Sequence, residues 1–198
     1  MTVTIGVLSF HGDVIEHINA TTLAAKNLHI PIDVVAVRTK DTLNRVHALI
    51  IPGGESTTLH KLCVREGMWE QMKSLPYIFG TCAGAIMLAR TIEHKAEGQE
   101  TLERMHITID RNAYGRQTDS FEESIDTALG TVIAVYIRAP KIKKTEKSVH
   151  ILAARNAEIL ACEEQSDSLY SLAACFHPEL TTTVFHEYFI KKILHTTK

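Results

Sequence analysis

Apolar runs and amphipathic stretches alternate along the first third of the chain. Residues 3–8 (VTIGVL) form an apolar run, residues 32–37 a second and residues 46–51 a third that stops at Pro52-Gly53-Gly54. Runs of this length bounded by Gly and Pro predict buried strands. Between the first two, Gly12-Asp13 breaks the pattern, and Asp13 with Glu16 three residues later predicts a capping box. The helix that follows places Ile15, Ile18, Thr22 and Ala25 on one face, and Pro31 closes the turn after it. Further helices start near Ser56 and near Gly67. Residues 77–79 make a short fourth strand that feeds Gly80-Thr81-Cys82-Ala83-Gly84, and residues 85–90 continue as a helix. Strands alternating with helices imply a parallel sheet with right-handed crossovers.

The second half changes character. Residues 105–110, 120–125, 132–137, 149–154, 158–162 and 169–176 all read as strands, some pairing antiparallel through short turns such as Asn156-Ala157. An amphipathic helix over 182–195 follows. Residues 141–147 carry four lysines with no interleaved aromatic residue, which predicts a solvated loop and not a base-stacking surface.

Composition narrows the function classes. The chain has 198 residues, 21 Lys plus Arg against 23 Asp plus Glu, and a formal net charge of -2. That length predicts a single domain, 1–198, able to bury a core without staples. The charge balance argues against nucleic acid or a membrane surface as partner. No apolar run approaches the ~18 residues of a membrane span, and the N-terminus lacks the layout of a signal peptide. Cys63, Cys82, Cys162 and Cys175 show neither a disulfide framework nor metal-ligand spacing. No histidine pair among His11, His17, His60 and His186 has helix-face spacing with a carboxylate partner, so no metal site is expected. The expectation is a cytoplasmic α/β protein.

One cysteine stands apart. Gly80-x-Cys82-x-Gly84 between a short strand and a helix matches a nucleophile elbow with sulfur in place of hydroxyl. A sharp strand-to-helix turn pushes the side chain out, and small neighbours keep the turn from clashing. The helix N-terminus favours thiolate and offers the Ala83 N–H to a developing oxyanion. A thiolate nucleophile needs a base and an orienter. His177-Pro178-Glu179 supplies both: Pro178 favours extended backbone at His177, and residues two apart on extended chain share a side. The remaining histidines read as solvent-exposed loop residues. Pro52-Gly53-Gly54 ends a parallel strand where α/β sheets place ligands, and its glycines present a second oxyanion donor. No Gly-Lys-Ser/Thr follows, so this is not a phosphate loop.

PGGEST, GTCAG and FHPE, in that order, resemble the motifs of the class I (triad-type) glutamine amidotransferases. HGDVIEH, the segment from Asp110 to Phe121 and YIRAP are similar to the glutaminase subunits of pyridoxal 5′-phosphate synthases, and the resemblance covers essentially the whole chain. It implies a three-layer sandwich with a central, mostly parallel (mixed) sheet and flavodoxin-like topology. It implies that Cys82 attacks the amide of L-glutamine, that His177 moves the protons and that Glu179 orients His177, with no cofactor. Gly54, Glu55, Ser56, Arg111, Ile137 and Arg138 would lie against the substrate, and Gly53, Gly54 and Ala83 would form the oxyanion hole. An arginine suits an α-carboxylate, although read alone Arg111 and Arg138 are more readily surface ion pairs. The ammonia would pass to a synthase subunit that builds pyridoxal 5′-phosphate, and docking would raise a weak basal activity.

Two positions depart from the family pattern. Phe10-His11-Gly12 stands where the family carries Leu-Gln-Gly, which puts oxyanion formation in question but not the triad. Cys175 replaces the commoner serine and reads as a buried packing residue. Three rival readings are another ammonia donor of the superfamily, which would differ around GEST and after the nucleophile, a non-catalytic docking subunit, against which the intact Cys82, His177 and Glu179 argue, and a Cys-dependent hydrolase or redox chaperone of similar architecture, which would lack the His-Pro-Glu pair.

Overall fold

The computed structural model describes residues 2–112, 120–166 and 168–195. The elements run β1 (Val3–Leu8), α1 (Val14–Asn27), β2 (Ile32–Val37), α2 (Lys40–Leu43), β3 (Ala48–Ile51), α3 (Ser56–Arg65), α4 (Trp69–Ser74), β4 (Tyr77–Thr81), α5 (Ala83–Leu88) and β5 (Ala89–Glu93). They continue as β6 (Met105–Asp110), β7 (Phe121–Thr127), β8 (Gly130–Tyr136), β9 (Lys141–Thr145), β10 (Val149–Arg155), β11 (Glu158–Ser166), β12 (Leu169–Ala174), a 3-10 turn (Pro178–Leu180) and α6 (Val184–His195).

The main sheet has the order β2-β1-β3-β4-β12-β11-β10-β7-β8. Its first five strands are mutually parallel, and β12 is the seam where antiparallel pairing begins. A branch of β5, β6 and β9 joins through β11. Read by rank among the parallel strands this is the 2-1-3-4-5 order of a doubly wound sheet, which places ligands beyond the strand C-termini. Helices cover both faces. Alternate residues of the strands, Ile5, Val7, Ile50, Phe79 and Leu172, pack with α1 and α6, while Leu8, Leu49, Ile51 and Ile78 pack with α2 to α5. Each fully buried Ile, Leu or Phe contributes ~1.5–3 kcal/mol over its exposed state. At the far end of β4 and β12, the buried Arg104 guanidinium donates to the carbonyls of Lys73, Leu75, Pro76 and Tyr170, and burial lowers its pKa to about 10.

Four expectations are corrected. Residues 141–145 form β9 and not a loop: Ile142 is buried against Ile109 and Ile159 while Lys143 and Lys144 face out, a pattern masked by the lysines. Helix α5 stops at Leu88, and Ala89–Glu93 is a strand parallel to β6. On α1 the buried positions are His17, Ala20, Thr21, Ala24 and Ala25, and Ile15 is 63% exposed. Close packing of α1 on α6 selects small and polar residues there, which hydropathy does not favour. Asp13 does not cap α1 with its side chain. The four cysteines are free, and Cys175 is wholly buried. No helix of the described residues is long and apolar enough to cross a membrane.

Candidate active site

The C-terminal ends of β1, β3, β4 and β12 converge on one cavity of about 730 Å³. Cys82 follows β4 directly. Its N–H still bonds the Ala174 carbonyl at 2.9 Å, but its backbone has turned to φ 49°, ψ −104°. A non-glycine residue there carries strain of order 1–3 kcal/mol, which its surroundings must enforce. They do so by proximity. A Cβ on Gly84 would run into the Ile51 carbonyl oxygen, so α5 begins hard against the end of β3 and forces the chain to turn at Cys82. The thiol is buried yet lines the cavity, with Sγ 3.9 Å from the Ile137 carbonyl oxygen. Ala83, at the start of α5, lines the cavity beside it.

His177 arrives from the neighbouring strand. The β4–β12 register pairs Ala173 with Gly80 and Ala174 with Thr81, so the two chains leave the sheet side by side. The His177 N–H donates to the Val135 carbonyl at 2.9 Å, and Pro178 opens the 3-10 turn. Glu179 therefore meets His177 through a turn and not through extended alternation. Its Oε1 nonetheless lies 2.8 Å from His177 Nδ1. Asp13 Oδ2 lies 2.9 Å from the same nitrogen. The carboxylate expected to cap α1 is thus spent on the imidazole. The other ring nitrogen, Nε2, has no hydrogen-bond partner of ordinary length and borders the cavity that Cys82 lines.

Charge is arranged to keep the imidazole protonated. Burial alone would lower the His177 pKa, but Asp13, Cys82 and Glu179 outweigh it and hold the value well above the usual imidazole range. Burial likewise works against the Glu179 carboxylate, and His17 and His177 overcome it, keeping Glu179 ionised well below the usual range. Cys63, Cys162 and Cys175 are pushed the other way, toward inert thiols, by burial.

The opposite wall is built from β3, β6 and the segment after β8. Gly54, Glu55, Ser56, Arg111, Ile137 and Arg138 all line the cavity. Gly53 lies behind it, where a Cβ would strike the His177 ring. Gly54, at φ 128°, has His11 in the place a side chain would take. Glu55 doubles as the cap of α3: it accepts from the Thr57 and Thr58 N–H groups at 2.9 and 2.7 Å. Burial opposes its ionisation, but these bonds and the Thr58 hydroxyl bring its pKa down to about 2. Arg111 donates to the Thr57 hydroxyl at 3.0 Å, to the Gln99 side-chain Oε1 and to Glu55 at 3.0 Å. Gln99 also donates to the Ser56 hydroxyl at 2.9 Å. Arg138, at φ 47°, forms no hydrogen bond or ion pair with another described residue. Residues 113–119 of the Asp110 to Phe121 segment lie outside the described residues.

Asp13 and Gln99 were not found from sequence. Asp13 had a signal, since it follows the glycine at the C-terminal end of β1, beside the point where strand order reverses. Gln99 had none. The reading of the remaining histidines as solvent-exposed loop residues is corrected for His17, His60 and His186, which are buried. Asp13, His177 and Glu179 bring one ligand atom each within 4.8 Å of one another. His177 Nδ1 lies within hydrogen-bond distance of both carboxylates.

The chain is similar to known proteins. A model of the SNO glutamine amidotransferase family matches residues 7–195. The chain is 40% identical to the Pyridoxal 5'-phosphate synthase subunit PdxT of Pyrococcus horikoshii, over 96% of this chain and 99% of that protein. It is 43% identical to the subunit of the same name from Acidothermus cellulolyticus, over 96% and 93%. A solved structure described as a crystal structure of glutamine amidotransferase superposes with a TM-score of 0.81 at 37% identity, covering 96% of this chain and 98% of its own.

Proposed function

The chain belongs to the SNO glutamine amidotransferase family, and from that premise we propose that Cys82, His177 and Glu179 carry its chemistry. It is a glutaminase subunit of pyridoxal 5′-phosphate synthase: it hydrolyses L-glutamine to glutamate and ammonia and delivers the ammonia to the synthase subunit. The observation that carries the residue assignment is the strained Cys82 turn facing an imidazole that two carboxylates hold protonated.

The steps follow from that geometry. The Cys82 thiolate attacks the side-chain amide carbon, and charge moves to the carbonyl oxygen. The Ala83 N–H and a backbone N–H of Gly53-Gly54 stabilise that oxyanion. The His177 imidazolium gives a proton to the nitrogen, the C–N bond breaks and ammonia leaves. Neutral His177 then takes a proton from water as the water attacks the thioester, and the thiolate departs with glutamate released. Glu179 keeps the Nδ1 proton of His177 in place throughout. On the substrate side, Arg138 is the cation left open, among the described residues, for the α-carboxylate, while Glu55, Ser56, Ile137 and Arg111 shape the pocket. The family match over 7–195 supports treating 1–198 as one amidotransferase domain. The free cysteines support a cytoplasmic setting.

Glutamine turnover with and without a synthase subunit tests this reading. Turnover is weak for the isolated chain, rises on adding the synthase and vanishes in Cys82→Ala with the fold intact. Equal rates with and without the partner would contradict coupling, and an active Cys82→Ala would remove the nucleophile.

A further inference from the structure

Behind the triad lies a second pair of imidazoles. His17 on α1 and His186 on α6 are both fully buried. His17 Nε2 is 2.9 Å from Thr81 Oγ1 and 3.4 Å from Glu179 Oε1. His17 Nδ1 is 3.0 Å from His186 Nε2. The remaining atoms decide which way the protons point. An imidazole facing a carboxylate must carry its proton on that side, so His17 Nε2 donates and Nδ1 accepts. His186 Nε2 is then the donor to Nδ1, and the neutral His186 ring carries no proton on its own Nδ1, the atom that has no partner. Burial, chiefly, brings the His186 pKa down to about 3, so the ring stays neutral in the working range. The hydrogen bonds run one way, from His186 on α6 through His17 on α1 to Thr81, with Glu179 Oε1 3.4 Å from the same His17 nitrogen.

Glu179 depends on that chain. Both of its contacts fall on Oε1, while Oε2 is buried without a partner. A buried carboxylate with one imidazole instead of two has lost half of what offsets its desolvation. Thr81, the third member, is the residue immediately before the nucleophile. We infer that His17 is a positioning residue for the glutaminase reaction, holding the Glu179 carboxylate ionised and tying it to the strand that presents Cys82. The charged and titratable groups facing this carboxylate are His177 with Asp13 beyond it, and His17 with His186 beyond it.

This inference rests on the glutaminase reading, and the experiment separates the two. Glutamine turnover is measured across pH in the complex with the synthase subunit, for His17→Leu, His17→Gln and Glu179→Gln alone, and for His17→Leu combined with Glu179→Gln. His17→Leu lowers kcat ~10–100-fold, the range that outer hydrogen-bond partners carry, with KM little changed. His17→Gln restores most of the activity, since a carboxamide donates toward Glu179 and accepts from His186. In the Glu179→Gln background, His17→Leu adds almost nothing, as two changes acting through one carboxylate must. The same fold-loss in both backgrounds, or a loss in His17→Leu that falls on KM and leaves kcat unchanged, overturns the role of His17. Where the leucine variant does not fold, the shorter and polar His17→Asn serves, with the same loss of kcat expected and an additive loss in the Glu179→Gln background decisive against it. An unaltered His17→Leu with a dead Cys82→Ala removes His17 alone, whereas an active Cys82→Ala removes the reading beneath it.

Discussion

The two walls of the cavity are built in opposite ways. On the triad wall, Cys82, His177 and Glu179 are buried, held by backbone bonds to Ala174 and Val135, and backed by further buried polar groups. On the substrate wall, Glu55, Arg111 and Gln99 are bonded to one another, and Arg138 has no described partner. Chemistry that moves protons needs atoms held to within a few tenths of an ångström before substrate arrives. Recognition of a small zwitterion tolerates groups that exchange one partner for another. The triad wall is therefore a finished device, and the substrate wall is a set of bonds waiting to be traded.

That contrast ranks the consequences of substitution. The largest belongs to His177→Asn, which removes the proposed proton carrier: kcat in the synthase complex falls by at least the ~10²–10⁴ of a positioned acid–base group. A variant losing less than ten-fold would mean the triad wall is not where the proton moves.

Asp13→Asn comes next. It leaves Glu179 on His177 but removes the carboxylate that most strongly raises the imidazole pKa. The folded pKa falls, so the alkaline limb of kcat/KM moves to lower pH while the acid limb stays. The same sign governs stability. An imidazole with a raised pKa contributes stability that is whole below its unfolded value, ~6.5, and is lost as pH climbs through the folded value. The deficit of Asp13→Asn in a thermal melt is therefore larger near neutrality than at strongly alkaline pH. An unmoved alkaline limb would assign Asp13 to the substrate wall.

Arg111→Lys is the smallest. A lysine cannot span Thr57, Gln99 and Glu55 at once, so the wall loosens. KM for glutamine rises several-fold and kcat holds. A fall in kcat with KM unchanged would show that the two walls are coupled.

What the sequence disclosed follows the same division. The elbow at Cys82 was legible because glycines at 80 and 84 have one structural use between a strand and a helix. Pro178 marked the break that delivers Glu179, although the break is a turn and not an extended step. Strands β1, β3 and β4 were legible because they are largely buried on both faces and so mostly apolar. Residues 141–145 were missed because every position but Ile142 is lysine or threonine, and one apolar residue makes no pattern. His17 and His186 were missed for the converse reason: they are polar residues in the core, where hydropathy expects none. Asp13 satisfied a capping pattern in sequence while the fold gave its carboxylate another partner near the opposite end of the chain, at His177. Local patterns locate backbone turns well, but they do not say which distant side chain a polar group will meet.

Strand β12 sits between β4 and β11 in the sheet, yet it begins only at Leu169. A ribosome therefore releases the nucleophile's strand long before the strand that must lie beside it. Until then the rim of β4 has no neighbour on that side, a state that invites pairing with a foreign chain. The assembled site therefore waits on the closing of the sheet, when β12 pairs with β4 and carries His177 to the side of Cys82.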